Sequence, residues 1–235
     1  MTGVQTCALP ISFTTLAAQS GAPFSINDIV PIANHLTEAG VVAVKADSPY
    51  KTIEELVAAA KEKGNLKAST NGNKASNHTA AQLLAKSAGF KYKAIPYGGT
   101  ADQLLALRQG EVDFTCAKVA DVAKLVKGDK PELRVLAVFN TKRDPELPNV
   151  PTLGEKGLYP EWYGSARALV APKGTKPEVI QYYVEAFKKT MQDPAVIEAH
   201  KKAGMALDFK DNKELGDLIK AQDKFARDVV NDLYK

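Results

Sequence analysis

Residues 66–116 read LKASTNGNKASNHTAAQLLAKSAGFKYKAIPYGGTADQLLALRQGEVDFTC, and this stretch decides the fold. Leu66–Ser69 predicts a short strand. The polar loop Thr70–Asn77 leads into a helix over 77–88, where Ala81, Leu84, Ala85 and Ala88 recur at helical spacing. Gly89 stops it. Tyr92–Pro96 predicts a second strand and Tyr97-Gly98-Gly99-Thr100 a second loop. Ala101–Gln109 predicts a second helix, with Leu104, Leu105 and Leu107, stopped by Gly110. Glu111–Cys116 predicts a third strand. Strands and helices that alternate through short connections argue for a parallel, doubly wound sheet.

The same texture extends on both sides. Val41–Lys45 (VVAVK) follows Gly40 as a β-branched run and predicts a buried strand. Ser48-Pro49 opens a helix. Thr52 is its expected N-cap, and Glu55, three residues on, completes a capping box. Ile53, Leu56, Val57 and Ala60 share one face, and Gly64 ends the helix. Downstream, Ala120–Val126 predicts a helix and Leu133–Phe139 (LRVLAVF) a strongly apolar strand. Asn140–Pro160 then holds Pro145, Pro148, Pro151 and Pro160 and predicts a long crossing loop. Arg167–Ala171 predicts another strand, closed by Pro172-Lys173-Gly174-Thr175. Helices are expected over Pro177–Met191, Pro194–Ala203 and Asn212–Leu233. The fold class expected is α/β.

Composition narrows the function. The chain has 235 residues, 45% hydrophobic and 25% charged, an ordinary mix for a globular protein of one large or two small domains. The net charge of +4 comes from 31 basic and 27 acidic residues interspersed along the chain. A nucleic-acid binder would show a basic stripe with interleaved aromatics, so none is expected as a partner. No run of about 18 apolar residues exists that would span a membrane. Cys7 and Cys116 have no second cysteine or histidine at metal-ligand spacing, so neither a metal nor a cofactor is expected. A disulfide between the two stays open. Met1–Pro10 (MTGVQTCALP) has neither a basic n-region nor an apolar h-region, so it is no signal peptide. It resembles translated sequencing-adapter sequence. Residues 1–12 are therefore expected to be non-native, with the true start and any signal peptide lost.

Catalytic signatures are missing. His35, His78 and His200 sit in no HExxH-like pattern, and no nucleophile elbow, P-loop or G-x-G-x-x-G follows a strand. His200 lies on a charged stretch and reads as solvated. Asp102, Glu111 and Asp113 could do acid–base work, but they read first as solvated turn and helix-start residues, where carboxylates are favoured electrostatically. Two loops favour binding instead. In the first, Thr70, Asn71, Ser76, Asn77 and His78 bridge a strand end and a helix start, with Ser76 or Asn77 as cap. Free N–H groups at such a start, with the positive dipole end, make an anion site. In the second, Tyr97 brings a ring and hydroxyl, Gly98 and Gly99 permit close approach, and Thr100 can cap and donate. Both loops leave a parallel sheet at its carboxyl edge, where open α/β folds bind ligands. Ordinary capped loops have the same pattern.

An ordered series of short motifs carries a family resemblance. It comprises TIEELVAAA (52–60), GNLKAS (64–69), SNHTA (76–80), IPYGG (95–99), LRQGEVDF (107–114), LRVLAV (133–138), PNVPTL (148–153) and APKGT (171–175). Together they resemble the substrate-binding proteins of tripartite tricarboxylate transporters, the TctC or Bug family. The resemblance implies a type II periplasmic-binding-protein fold of two doubly wound lobes around a ligand cleft. Lobe 1, incomplete, would combine 13–43 with 140–235, and lobe 2 would be 44–139. VVAVK and LRVLAVF would be the hinge crossings. A small organic carboxylate would be held by main-chain N–H groups and small hydroxyls, and the lobes would close on it. The resemblance further implies a non-catalytic, monomeric, periplasmic protein that serves membrane transporter subunits. This chain departs from the family pattern at Tyr97-Gly98-Gly99, where a lysine commonly follows the tyrosine. It also has Ala166-Arg167-Ala168 in place of an aromatic-X-glycine. Arg167 is thus either a ligand contact or a structural ion pair. The alternatives are an enzyme on the same architecture and a ligand-sensing receptor for a signalling partner.

Overall fold

The computed structural model describes Thr14, residues 23–205 and residues 207–234. The expectation for residues 1–12, and Cys7 with it, lies outside the described residues. The chain divides into two compact units. One is Ala39–Gly164, and the other combines the residues up to Glu38 with Ser165–Lys235.

In the 39–164 unit the sheet order is β3-β2-β4-β1-β5. β2 (Lys67–Thr70) runs parallel to both β3 (Lys93–Pro96) and β4 (Phe114–Lys118). The carboxyl half of β1 (Ile29–Lys45) lies between β4 and β5 (Leu133–Phe139) and is antiparallel to both. The sheet is therefore mixed rather than parallel throughout. β1 enters the unit as a continuous strand, not through a crossover helix, so the rule that forces parallel pairing never applies to it.

The helices fall where their periodicity predicts. α1 (Ile53–Lys63) is capped by Thr52, whose Oγ1 accepts the Glu55 N–H at 3.3 Å. α2 (Ser76–Ala88) and α3 (Thr100–Gln109) follow, and Gly64, Gly89 and Gly110 end the three helices in the left-handed conformation. The third strand starts at Phe114, later than expected, because the Glu111 N–H still bonds Ala106 O at 3.0 Å and closes α3. The following helix, α4, is only Val119–Val122. Val41, Ala43, Leu104, Leu107, Ala117, Leu133 and Val138 are part of one apolar core, with Trp162 packed against it.

The long segment after β5 is stitched down. Leu153 donates to Val138 O at 2.9 Å and Tyr163 to Phe139 O at 3.1 Å. Gly40 donates to Tyr163 O at 2.8 Å. A Cβ at Gly40 would stand 3.0 Å from that carbonyl and 3.2 Å from the Phe139 ring, so the close approach favours glycine. β5 stays inside this unit. The chain leaves it at 164/165, through β6 (Gly164–Pro172) and not through LRVLAVF.

In the other unit the amino half of β1 pairs with β6 and, antiparallel, with β7 (Leu207–Lys210), a short half-buried strand that the sequence pattern does not reveal. β6 buries both faces. Leu169 and Ala171 pack with Ile32, Ile180 and Val184, and Ala168 and Val170 with Leu215 and Ile219. The helices are α5 (Pro177–Met191), α6 (Pro194–Lys202) and α7 (Asn212–Phe225), followed by a π turn over Ala226–Val230 and α8 (Asn231–Leu233). Among the described residues no helix is long and apolar enough to cross a membrane.

Candidate functional site

β2, β3 and β4 point one way, so their carboxyl ends share an edge of the 39–164 sheet. Thr70 is in register with Pro96, and the Tyr97 N–H donates to Thr70 O at 2.9 Å. The two loops singled out in the sequence therefore leave the sheet side by side.

The first loop is held by its own bonds. Gly72 (φ 123°) and Lys74 (φ 57°) take left-handed backbone, which for the lysine is strained. The Lys74 N–H donates to His78 Nδ1 at 3.0 Å, so a neutral His78 carries its proton on Nε2. Burial lowers the His78 pKa and favours that neutral form. α2 begins at Ser76 with Ala75 as N-cap, so neither Ser76 nor Asn77 has the capping role expected for it. Asn71 supplies it, its Oδ1 accepting the Asn77 N–H at 3.3 Å. Thr70 is buried, and its Oγ1 donates to Gly72 O at 3.4 Å.

Ser76 and Asn77 instead turn inward, into a buried polar network. Asn77 Nδ2 donates to Gln103 Oε1 at 2.9 Å. Gln103 Nε2 donates to Ser69 O at 3.2 Å and to Cys116 O at 2.6 Å. Ser69 Oγ reaches Thr115 Oγ1 at 2.9 Å and Gln103 O at 3.0 Å. At the top of the network stands Lys118, the last residue of β4. Its Nζ donates to Asn77 Oδ1 at 2.5 Å and to Ser76 Oγ at 3.4 Å. Lys118 is 4% exposed, and no other lysine or arginine among the described residues is buried. Sequence reading missed it because the strand was ended at Cys116. The available signal was a cation closing an apolar strand at the same edge as the two loops.

The second loop is more open. Gly99 precedes α3 in extended backbone (φ 174°), and a Cβ there would meet nothing within 4 Å. Gly99 is the N-cap and Thr100 the first helical residue, so Thr100 does not cap, and no side chain does. A Cβ at Gly98 would touch Asp102 Oδ2 at 3.4 Å. The Tyr97 phenol is committed elsewhere. It donates at 3.0 Å to Glu111, just past the far end of α3, and desolvation and this bond both raise its pKa.

Arg167 belongs to the other unit. Its guanidinium lies 3.1 Å from Glu38 Oε2, whose side chain is 4% exposed, so it makes a structural ion pair there. In that unit His200 is half-buried rather than solvated. Its Nε2 lies 3.4 Å from His35 Nδ1, and its Nδ1 lies 2.9 Å from Val196 O. Asp113 accepts the Lys67 N–H at 2.7 Å and thereby joins two strands. Cys116 is a free thiol, pushed up to about 12 by burial and so unfit as a nucleophile. No group of three or more potential metal ligands occurs among the described residues. What the edge does offer is amide N–H groups, small hydroxyls and one buried cation.

Comparison with known proteins follows from this geometry. The model of the tripartite tricarboxylate transporter family receptor, TctC, matches residues 8–233. The UPF0065 protein in the gbd 5' region of Cupriavidus necator is 37% identical over 170 residues, which is 72% of this chain and 50% of that protein. The chain thus spans about half the length of that curated relative. Among solved structures, a TctC solute-binding protein from Polaromonas is 26% identical with a TM-score of 0.80, over 96% of this chain and 77% of that one. MatC from Rhodopseudomonas palustris, solved with bound malate, is 21% identical with a TM-score of 0.79, over 92% and 75%, a likeness of fold.

Proposed function

The chain belongs to the tripartite tricarboxylate transporter receptor family, and from that membership we propose that it is an extracytoplasmic solute-binding protein for a small organic carboxylate. The observation that supports this most is the pair of neighbouring strand-to-helix loops at one sheet edge, with Lys118 buried at the end of β4 beside the first of them. In this reading the carboxylate rests on the free N–H groups at the start of α3, beside open Gly99, and takes further hydrogen bonds from Ser76. Helix amides are fixed in place before the ligand arrives, so they favour an anion without a reorganisation cost. The malate held by MatC is an acid of the class proposed.

The chemistry of the edge suits binding better than turnover. The Cys116 thiol stays protonated, and Asp113 is used to join strands. We assign delivery of the ligand to the membrane subunits of an uptake system, with the receptor acting as a monomer.

A thermal-shift screen tests the reading. The 235-residue chain is heated with C4 to C6 dicarboxylates, monocarboxylates, sugars and amines. Dicarboxylates are expected to raise the melting temperature in a concentration-dependent way. Shifts from sugars or amines, with none from carboxylates, would overturn the proposal.

A further inference from the structure

We propose that a lysine-rimmed apolar groove at the amino edge of the 39–164 sheet is the docking site for an acidic segment of a partner protein, one that sets an apolar side chain into the groove. This goes beyond the carboxylate reading and does not rest on it, because the two loops of the candidate site leave the opposite edge of the sheet.

Charge is concentrated at this edge. Residues 61–93 contain seven lysines and one acidic residue, Glu62, a net charge of +6 against +4 for the whole chain. The rest of the sequence is therefore slightly acidic. Lys74 belongs to the first loop, and the other six lysines are exposed and collect at the amino edge. Lys61 and Lys63 end α1, and Lys86 lies in the last turn of α2. Lys91 follows, and Lys67 and Lys93 stand in register as the first residues of β2 and β3. Among the described residues none of these six forms a salt bridge. The helix dipole accounts for a cation in the last turn of each helix, but not for Lys67, Lys91 or Lys93. Gathering like charges costs repulsion that an anionic partner would offset.

The groove supplies the shape. It has a volume of about 440 Å³ and lies between the ends of α1 and α2. Buried Ala60, Ala85 and Phe90 make its apolar floor, and exposed Lys61, Lys86 and Lys91 its rim, while Glu62 does not line it. A Cβ at Gly64 or Gly89 would meet nothing within 4 Å, so the mouth is open. The backbone at the floor is already bonded. Gly64 N–H donates to Ala60 O at 3.0 Å, and Phe90 N–H to Ala85 O at 3.0 Å. A small anion is best held by fixed donors. These lysines are instead point charges on flexible stems, which steer an acidic surface from a distance. A membrane surface is gripped by apolar side chains that stand out from a protein, and here the apolar side chains are recessed. Recessed floor and basic rim together select an apolar side chain flanked by carboxylates.

Fluorescence anisotropy with a labelled peptide of glutamates flanking a single leucine tests this. Binding is expected at low salt and should weaken as added salt screens the rim. Replacing the peptide's leucine with serine should weaken it further. Lys61→Glu, Lys86→Glu and Lys91→Glu combined should lower the affinity about tenfold or more. Lys188→Glu, Lys189→Glu and Lys201→Glu make the same charge change in the other unit and should leave binding nearly intact. No binding of the peptide, an equal loss with both triple variants, or indifference to the leucine would overturn the proposal. So would binding to phosphatidylglycerol vesicles in preference to the peptide. If the first triple variant fails to fold, Lys61→Gln, Lys86→Gln and Lys91→Gln combined take its place. Their affinity should fall as well, and an unchanged affinity would overturn the proposal.

Discussion

Gln103 ties the site to its scaffold. It is wholly buried, and it joins α3 to the backbones of β2 and β4 and to Asn77 of α2. Gln103→Leu keeps the volume and leaves several buried partners unsatisfied. Urea unfolding is expected to show a loss of about 2–3 kcal/mol. Cys116 gives a chemical test of the same interior. Its peptide should stay unalkylated by iodoacetamide at pH 8 in the native protein and react once the chain is unfolded, as mass spectrometry would read. Two histidines set a pH dependence. Burial lowers the pKa of His78 and, first among its causes, that of His35, with His200 and Arg167 adding to the latter. Each folded pKa lies below the unfolded value of about 6.5, so the unfolded chain binds more protons as pH falls. Stability should therefore hold above about pH 6.5, decline below it, and level off once the folded pKa values are passed. Melting curves from pH 7.5 to 5 would show this, and a chain carrying His35→Gln and His78→Gln should give a flatter profile.

At the scale of elements, the sequence showed the helices best. Their signals are local: the apolar stripe of Ile53, Leu56, Val57 and Ala60, the Thr52 cap, and the closing glycines. Glycine roles can be separated by experiment. Gly89 has φ 70° with open space around it, so Gly89→Ala should cost about 1–2 kcal/mol from backbone strain alone. Gly99 lies in extended backbone with equal room, so Gly99→Ala should change stability by less than about 0.5 kcal/mol in the same denaturation assay. Strands were harder to read because their partners are distant. β1 runs for 17 residues, yet only VVAVK stood out. Asn34, His35 and Glu38 interrupt the apolar run, and they are tolerated because Asp208 O accepts from Asn34 at 2.8 Å and Arg167 pairs with Glu38. The reversed direction of β1, and β7 itself, follow from the same long-range pairing. At the site, loop adjacency was legible from the parallel pattern. The capping by Asn71, the diversion of Tyr97 to Glu111 and the burial of Lys118 were not, since they depend in turn on how the first loop folds back on its helix, on a residue beyond the far end of a helix, and on where a strand ends.

The whole molecule has separate apolar cores for its two units, and the proposed site draws on one of them. Trp162, the chain's single tryptophan, packs on the core of the 39–164 unit, so its emission reports the unit that carries the site. A dicarboxylate at 100 times its Kd should add about 2.7 kcal/mol to the unfolding free energy read by that fluorescence. The 2.8 Å bond between Gly40 and Tyr163 has a further consequence. The two ends of the 39–164 segment are thus tied together by a backbone bond within the unit itself. A piece whose ends already touch is a natural cassette. It can be spliced into a foreign loop, joined head to tail, or reopened at another surface turn without stretching its backbone.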